Sequence, residues 1–141
     1  MGYSQAMSDD SVALVRRIYE GWAAGDPRTL ELLDPAIEVR PDPRSAWPGI
    51  EPVYHGHDGV GRYLASIYDA FDDYRAEVED MRAADDRVVV LAIERGRGKY
   101  SGVPVDVRHT AHVWTLRDHR AVRLDVNWDR DVALRLTGLP A

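Results

Sequence analysis

Residues 87–129 read RVVVLAIERGRGKYSGVPVDVRHTAHVWTLRDHRAVRLDVNWD, and this run of β-branched and alternating residues decides the fold class. Short turn sequences interrupt this run and the stretch before it at Asp85-Asp86, Ser101-Gly102 and Asp118-His119. Apolar and polar residues that alternate between such turns are typical of antiparallel strands joined in chain order. The pattern predicts four strands, over residues 74–86, 87–100, 102–118 and 119–129.

The first half of the chain predicts helices. Within residues 8–27 apolar side chains recur at spacings of three and four, which indicates one buried helix face; they are Val12, Val15, Ile18, Tyr19 and Trp22. Ser8 or Asp9 is the expected cap of this helix, and Gly25 is the expected stop. A short second helix is expected from residue 27, a first strand over residues 36–40 and a third helix over residues 57–73.

The remaining segments are predicted to form a loop, a closing helix and an N-terminal tail. Residues 41–52, PDPRSAWPGIEP, carry four prolines and a glycine and therefore predict a long loop with Trp47 at its centre, of the kind that often forms a lid or a pocket rim. Residues 129–139 predict a short closing helix capped by Asp129. Residues 1–8 are expected to be a flexible tail, and residues 9–141 a single domain.

The order of these elements predicts an α+β fold. Helices that come before a long antiparallel sheet pack over one face of that sheet. We expect three N-terminal helices on a strongly curved, mostly antiparallel sheet, with a short C-terminal helix. Such a sheet encloses a cone with an apolar mouth, which is a natural pocket for a small molecule.

Composition excludes several classes of function. The chain has 141 residues, no cysteine and a formal net charge of −6. A thiolate nucleophile, a disulfide and a cysteine-based zinc site are therefore excluded, and an acidic chain is not expected to bind nucleic acid or an anionic membrane. No secretory signal and no nucleotide-binding motif is present, so a cytoplasmic protein without a cofactor is expected.

Several stretches together resemble the nuclear transport factor 2-like superfamily, in particular its SnoaL-like polyketide cyclase and ketosteroid isomerase branches. These stretches are IYEGWAAGDPRTLELLDPAIEVRPD, VYHGHDGVGRYL, DRVVVLAIERGRGKYSGVPV, HVWTLRD and VNWDRDVAL. The resemblance runs from about residue 11 to residue 139 and implies the cone-shaped fold. Because this fold carries isomerases, cyclases, dehydratases, epoxide hydrolases and binding modules, it does not name the reaction.

The resemblance also gives the segment His55-Gly56-His57-Asp58 a structural interpretation, as the turn into the third helix. Gly56 permits the tight backbone, and Asp58 is well placed against the helix dipole. The alternative, a metal site built on the two histidines, lacks a third ligand at the usual spacing. No metal is therefore expected.

Ketosteroid isomerases use a carboxylate near the end of the first strand as the base, and a helix tyrosine and a protonated acid to hold the oxyanion. The matching positions in this sequence are near Arg40, at Ile18 and at His112. None of the three positions carries the residue that ketosteroid isomerases use there, so a different set of catalytic residues is expected in the same cavity.

His112 is the favoured acid/base, because an imidazole can move a proton near neutral pH. Arg40 and Asp42 share a parity on the first strand and are its expected helpers, as oxyanion donor and second acid or base. For each of the three, the simpler alternative is a packing, turn or surface role. The residues expected to line the pocket are Tyr19, Trp22, Trp47, Tyr54, Leu64, Trp114, Val126 and Trp128.

Alternation orients the neighbours of these residues. If His112 points inward, so does Trp114, while His109 faces out; Leu124, Val126 and Trp128 share one face, and Asp125 and Asn127 the other. Glu94 interrupts an apolar strand and is expected to face outward and pair with an arginine. The alternative is a cavity acid with a raised pKa.

These residues suit proton abstraction next to a carbonyl, followed by isomerisation, dehydration or aldol-type ring closure. The sequence therefore predicts a cofactor-independent enzyme of this kind, acting on a small, mostly apolar or polyketide-like substrate. A binding or assembly module is the alternative. Epoxide hydrolysis is a further one, supported by Glu94-Arg95 but weakened by Arg97, which stands where such enzymes carry an aspartate. A homodimer is expected, with Arg123, Asp125 and Asn127 on the shared face.

Overall fold

A computed structural model describes residues 2–99 and 104–140 of the chain. Helix α1 spans Gly2–Ala24, a 3₁₀ helix spans Pro27–Leu32, and helices α2 and α3 span Gly56–Ala70 and Arg130–Leu136. The strands are β1 (Leu33–Arg40), β2 (Tyr54–His55), β3 (Phe71–Ala84), β4 (Arg87–Gly98), β5 (Pro104–Arg117) and β6 (Arg120–Asn127). None of these helices combines the length and the hydropathy needed to cross a membrane.

Helix α1 forms because its apolar residues share one face, on which Leu14, Val15 and Ile18 are buried. It ends where predicted, at Gly25, whose φ of +66° is the left-handed conformation that closes a helix. Its start differs from the prediction. The helix begins at Gly2, so residues 2–8 continue it, and neither Ser8 nor Asp9 caps it.

The start of α2 has the structural role that the sequence predicted. Gly56 has a φ of +73°, and the Nε2–H of His57 donates a hydrogen bond to the carbonyl oxygen of Leu33 at 2.9 Å, which ties the helix to β1. Within the described ranges, no three histidine, aspartate or glutamate side chains converge as metal ligands would. The helix ends at Ala70, three residues earlier than predicted, because Phe71 is already extended and opens β3.

The sheet has the strand order β2-β1-β6-β5-β4-β3, and all neighbours are antiparallel except β1 and β6, which are parallel. The four predicted long strands are β3 to β6. The two-residue strand β2 was not predicted, because two residues carry no periodicity. The predicted turn at Ser101-Gly102 lies outside the described residues.

Both faces of the central strands are covered. Helices α1 and α2 pack against the inner face, where Val88, Val90 and Ala92 of β4 belong to the main core. Helix α3 packs on the outer face against Val89 and Leu91 of the same strand. Its start is capped as predicted, since the Asp129 carboxylate accepts hydrogen bonds from two backbone N–H groups at 3.1 and 3.2 Å.

Candidate functional site

A cavity of about 360 Å³ lies between the two inner helices and the inner face of the sheet. Its wall is mostly apolar, with Trp22, Leu64, Ile67, Leu124 and Val126 among its residues. Its polar groups come from a different set: Tyr19, Tyr63, Tyr68, Tyr74, Arg75, Glu94 and His112. A small lobe of about 20 Å³, roughly the space for one water, adjoins it and shares Tyr63, Tyr74 and Glu94.

His112 lies on the inner face of β5, as predicted, and only 7% of it is exposed. Alternation places Trp114 on the same face and leaves His109 exposed on the opposite one. Both ring nitrogens of His112 are engaged. Nδ1 lies 2.6 Å from the hydroxyl of Tyr19, and Nε2 lies 3.1 Å from Oε1 of Glu94 and 3.3 Å from Oγ1 of Thr110.

Tyr19 reaches His112 from helix α1, almost parallel to the imidazole plane, at an interplanar angle of 6°. Its oxygen also accepts a hydrogen bond from Nε1–H of Trp114 at 3.0 Å. The sequence mapping placed the helix tyrosine position at Ile18. In the structure Ile18 is fully buried in the core, and the next residue, Tyr19, carries the hydroxyl into the cavity.

Glu94 faces the cavity, so the predicted outward orientation and arginine pairing are wrong. The inner core contains Val88, Val90 and Ala92, and Glu94 continues their parity along β4. Its Oε1 accepts hydrogen bonds from Nε2–H of His112 and, at 3.0 Å, from the hydroxyl of Tyr74. Within the described part of the chain, both of these hydrogen bonds fall on Oε1, which leaves Oε2 for other contacts.

The pKa of Glu94 is lowered, whereas the alternative considered from the sequence was a cavity acid with a raised pKa. Burial by itself would raise this pKa, but the hydrogen bond and charge interaction with His112, the hydrogen bond from Tyr74 and the positive charge of Arg108 together lower it below its ordinary value. The carboxylate is therefore ionised at neutral pH. It is a stable negative partner for the imidazole rather than a proton donor.

The tyrosine hydroxyls around this carboxylate stay protonated. Burial raises the pKa of Tyr19 and of Tyr63 well above the ordinary value, and the negative charge of Glu94 raises both further. The pKa of Tyr74 is raised for the same two reasons. Each of these phenols is therefore a hydrogen-bond donor at neutral pH, next to an ionised carboxylate.

The predicted helpers do not reach His112. Arg40 points away from the core, because Val39 beside it points inward, and its guanidinium pairs with Glu38 at 2.7 Å. Asp42 is buried but holds the loop that follows β1: its carboxylate binds the Arg44 side chain at 2.9 Å and the backbone N–H of Trp128 at 2.7 Å. The prediction that Arg40 and Asp42 share the cavity of His112 is wrong, since Pro41 ends the strand alternation on which it depended.

The predicted lining residues divide into three groups. Tyr19, Trp22, Leu64 and Val126 line the main cavity, as predicted. Trp47 and Trp128 line the small lobe. Tyr54 and Trp114 are each only 1% exposed and belong to the core: the hydroxyl of Tyr54 accepts from the N–H of Glu51 in the loop, and the indole of Trp114 supports Tyr19.

The predicted loop forms a wall of the small lobe. Nε1–H of Trp47 donates to Oγ of Ser66 on α2 at 3.3 Å, and its ring packs edge-on against Phe71. On the other side the guanidinium of Arg108 lies 3.7 Å from the ring centroid of Trp128. Cation–π contacts of this kind hold aromatic side chains in place.

Tyr63 and Tyr74 complete the polar part of the site and were not identified from the sequence. Tyr63 lies on the buried stripe of α2, and Tyr74 lies in the irregular stretch of β3 between the paired residues Asp72 and Arg75. Buried tyrosines normally belong to the core, and only the inward Glu94 makes their hydroxyls part of the site.

The comparisons with known proteins agree with this fold. The SnoaL-like domain family matches residues 15–124. A nuclear transport factor 2-like protein of unknown function from Burkholderia pseudomallei superposes with a TM-score of 0.75 at 24% identity, over 91% of this chain and 97% of the other. TerC, co-crystallised with polyporic acid, gives a TM-score of 0.74 at 22% identity, with coverages of 91% and 97%.

A third solved structure, of a Jannaschia protein assigned as a SnoaL-like polyketide cyclase, gives a TM-score of 0.71 at 20% identity, with 95% of each chain covered. A comparison of the sequence with curated proteins found no significant match. The structural likenesses confirm the cone-shaped α+β fold predicted from the sequence. Its fold is that of nuclear transport factor 2-like proteins, and the chain belongs to the SnoaL-like domain family.

Proposed function

We propose that this protein is a cofactor-independent acid/base enzyme that moves a proton next to the carbonyl group of a small, mostly apolar substrate. The observation that carries the proposal is the hydrogen-bonded series Glu94–His112–Tyr19 at the wall of an apolar cavity. A cavity of about 360 Å³ is near the lower end of the range for small-molecule sites, which favours a small substrate.

The resting protonation states follow from the donors and acceptors. Nε1–H of Trp114 donates to the oxygen of Tyr19, whose own hydrogen is directed to Nδ1 of His112. Nδ1 is then an acceptor, and the ring proton of a neutral imidazole lies on Nε2, which faces the carboxylate of Glu94. Each hydrogen-bond donor in the series Glu94–His112–Tyr19 then faces an acceptor.

This arrangement provides a path for a proton. A carbon acid in the cavity gives its proton to the Tyr19 oxygen while the Tyr19 hydroxyl proton passes to Nδ1 of His112. The electron pair of the broken C–H bond forms the enolate, and the imidazolium is stabilised by Glu94 at 3.1 Å. No free phenolate forms, which suits a tyrosine whose pKa is raised by burial.

The enolate determines the overall reaction. Return of the proton to a different carbon gives isomerisation, loss of a β-hydroxyl gives dehydration, and attack on a second carbonyl gives an aldol-type ring closure. The Jannaschia structure that superposes on this chain is assigned as a SnoaL-like polyketide cyclase, which supports this group of reactions.

Deuterium exchange tests the proposal. Enolisable aryl ketones and cyclic ketones are incubated with the protein in deuterated water, and α-deuteration is followed by NMR. Wild type is expected to exchange at least about tenfold faster than His112→Ala, the low end of the usual contribution of general acid–base catalysis. His109→Ala, on the exposed face of the same strand, is the matched control and should exchange like wild type.

The same experiment separates the alternatives. Equal exchange by wild type and His112→Ala would overturn the proposal, and unchanged ketone affinity with no turnover would favour a binding module. Diol formation from apolar epoxides would favour epoxide hydrolysis. Epoxide hydrolysis requires the guanidinium of Arg95 beside Glu94. Arg95 borders the small lobe, but its guanidinium forms an ion pair with Glu77 at 3.1 Å.

We also propose that two copies of the chain associate through the outer face of β5 and β6. Arg123, Asp125 and Asn127 border one open groove on this face, and Arg123 pairs with Asp125 at 2.7 Å within the chain. Association would extend this ion pair across a two-fold axis. Sedimentation equilibrium should give about twice the chain mass of 15.9 kDa, and the mass of a single chain would contradict the dimer.

A further inference from the structure

Tyr63 carries a buried hydroxyl that takes no part in the proposed proton path. It lies on α2, is only 8% exposed and lines both the main cavity and the small lobe. Its ring is held by Tyr54, with 5.4 Å between the ring centroids. Among the described residues, no hydrogen-bond partner reaches the Tyr63 hydroxyl. Every fully enclosed side-chain polar atom in that part of the chain has a partner, so the Tyr63 oxygen is not fully enclosed by protein. The hydroxyl therefore faces the open space of the cavity.

The other two tyrosine hydroxyls around Glu94 are already used as donors. Tyr19 donates to His112, and Tyr74 donates to Oε1 of Glu94. Neither can donate to a ligand without giving up a hydrogen bond to the proton-transfer series. Tyr63 can, since its O–H has no acceptor within the described structure.

The chemistry of this group identifies what it can bind. Burial and the negative charge of Glu94 keep the Tyr63 phenol protonated, so it is a donor that requires an acceptor oxygen. A buried donor left without an acceptor is unfavourable, which indicates that a ligand or water oxygen occupies this position in solution.

We propose that Tyr63 donates a hydrogen bond to the carbonyl oxygen of the substrate and makes the cavity selective for ketones over hydrocarbons of the same shape. This inference rests on the proposed proton transfer. When the C–H bond breaks, its electron pair forms the enolate double bond and negative charge develops on the carbonyl oxygen. The hydrogen bond from Tyr63 then strengthens, which lowers the barrier.

A pair of isosteric probes tests the inference without turnover. Methyl naphthyl ketone and isopropenylnaphthalene have the same shape, but only the ketone has an acceptor oxygen. Equilibrium dialysis gives the Kd of each for wild type, for Tyr63→Phe and for Tyr54→Phe. Tyr54 is buried in the core, and its hydroxyl is bound to the N–H of Glu51 and the carbonyl oxygen of Gly49 in the loop, so its removal is a matched control.

In Tyr63→Phe the preference for the ketone, measured as the ratio of the two Kd values, should fall about fivefold relative to wild type, as expected for one neutral hydrogen bond. Affinity for the hydrocarbon should stay within about twofold, because the ring remains. Tyr54→Phe should leave the ratio unchanged, because its hydroxyl bonds the loop and not the cavity. An unchanged ratio in Tyr63→Phe, or no ketone binding by wild type, would overturn the inference.

Exchange of the methyl protons of the same ketone separates this inference from the proposed function. If the ratio of the two Kd values depends on Tyr63 but wild type shows no exchange, the protein is a binding module in which Tyr63 binds the carbonyl oxygen. If exchange depends on His112 but the Kd ratio is unchanged in Tyr63→Phe, the proposed proton transfer stands and only the role of Tyr63 is refuted.

Discussion

The hydroxyl of Tyr19 lies 2.6 Å from Nδ1 of His112, although 93 positions separate the two residues in the chain. One comes from the first helix and the other from the fifth strand, so the contact exists only in the folded domain. It connects the imidazole, which otherwise faces Glu94, to the open part of the cavity.

Tyr19→Phe should slow α-exchange by at least about tenfold, because it removes the hydroxyl through which His112 reaches the substrate. It should lower stability by about 1–3 kcal/mol, since the ring is retained but the hydrogen bonds to His112 and from Trp114 are both lost. NMR exchange rates and urea unfolding measure the two effects. Exchange at the wild-type rate would show that His112 acts without Tyr19.

Glu94→Gln should destabilise the protein in a pH-dependent way. A carboxyl group whose pKa is lower in the folded chain stabilises the fold above its unfolded pKa, and this contribution is lost as the pH falls through the folded pKa. The ordinary pKa of Glu94 is 4.5, and the folded value is lower. The stability gap between wild type and Glu94→Gln should therefore be largest near neutral pH and shrink in acid.

Urea unfolding of both variants at pH 7, 5 and 3 measures this gap, and these pH values bracket the range about the ordinary pKa. Groups that titrate in both variants and do not contact Glu94 cancel from the gap. A gap that is constant or grows toward low pH would contradict an ionised Glu94 stabilised by His112 and Tyr74.

Asp42→Asn should affect stability and leave exchange intact. The substitution removes the charge that binds Arg44 and weakens the acceptor of the buried Trp128 N–H, which should lower the free energy of unfolding by about 1–3 kcal/mol. The hydrogen bonds to Arg44 and Trp128 outweigh the opposing effect of burial and lower the pKa of Asp42 from 3.8 to about 2, so the difference should disappear as the pH falls through that interval.

Arg40→Gln is the matched control for this change, since its ion pair with Glu38 is exposed and should contribute less than about 1 kcal/mol. Exchange by folded Asp42→Asn should stay within about threefold of wild type, well inside the loss expected from removing an acid or base. A much larger loss would return Asp42 to the site.

Gly21→Ala should destabilise α1. A Cβ at this position would lie 2.0 Å from Oγ1 of Thr29, whose hydroxyl is fixed by a 2.7 Å hydrogen bond to the Asp26 carbonyl. Overpacking of this kind should lower the unfolding free energy by about 1–3 kcal/mol. Gly61→Ala, with no atom within 4 Å of its Cβ, should instead raise it by up to about 1 kcal/mol.

The fold was predictable because the change from helical to alternating periodicity lies in the sequence itself. The four long strands, the stop at Gly25 and the cap at Asp129 follow from local chemistry. The start of α1 was not predictable in the same way, because Ser8 and Asp9 are good caps that the helix nevertheless continues through. The strand β2 depends on pairing with β1, which no local signal records.

The site was harder to predict because orientation depends on packing. His112 was identified because the flanking stretches that resemble the family place it where ketosteroid isomerases carry their acid. Glu94 directly follows the run VVVLAI, which is apolar on both faces since α3 covers the outer one, so the sequence alone did not show which face was the inner one. For Asp42, Pro41 ended the alternation on which the prediction depended.

The central claim is that Tyr19 and His112 act as one unit, and a double-mutant cycle on α-exchange tests it most directly. Exchange rates are measured for wild type, Tyr19→Phe, His112→Ala and the double variant, with one enolisable ketone in deuterated water. If the two residues form one proton path, the double variant should exchange no more slowly than His112→Ala alone. Losses that multiply in the double variant would show that the two residues act independently, and would contradict the proposed path.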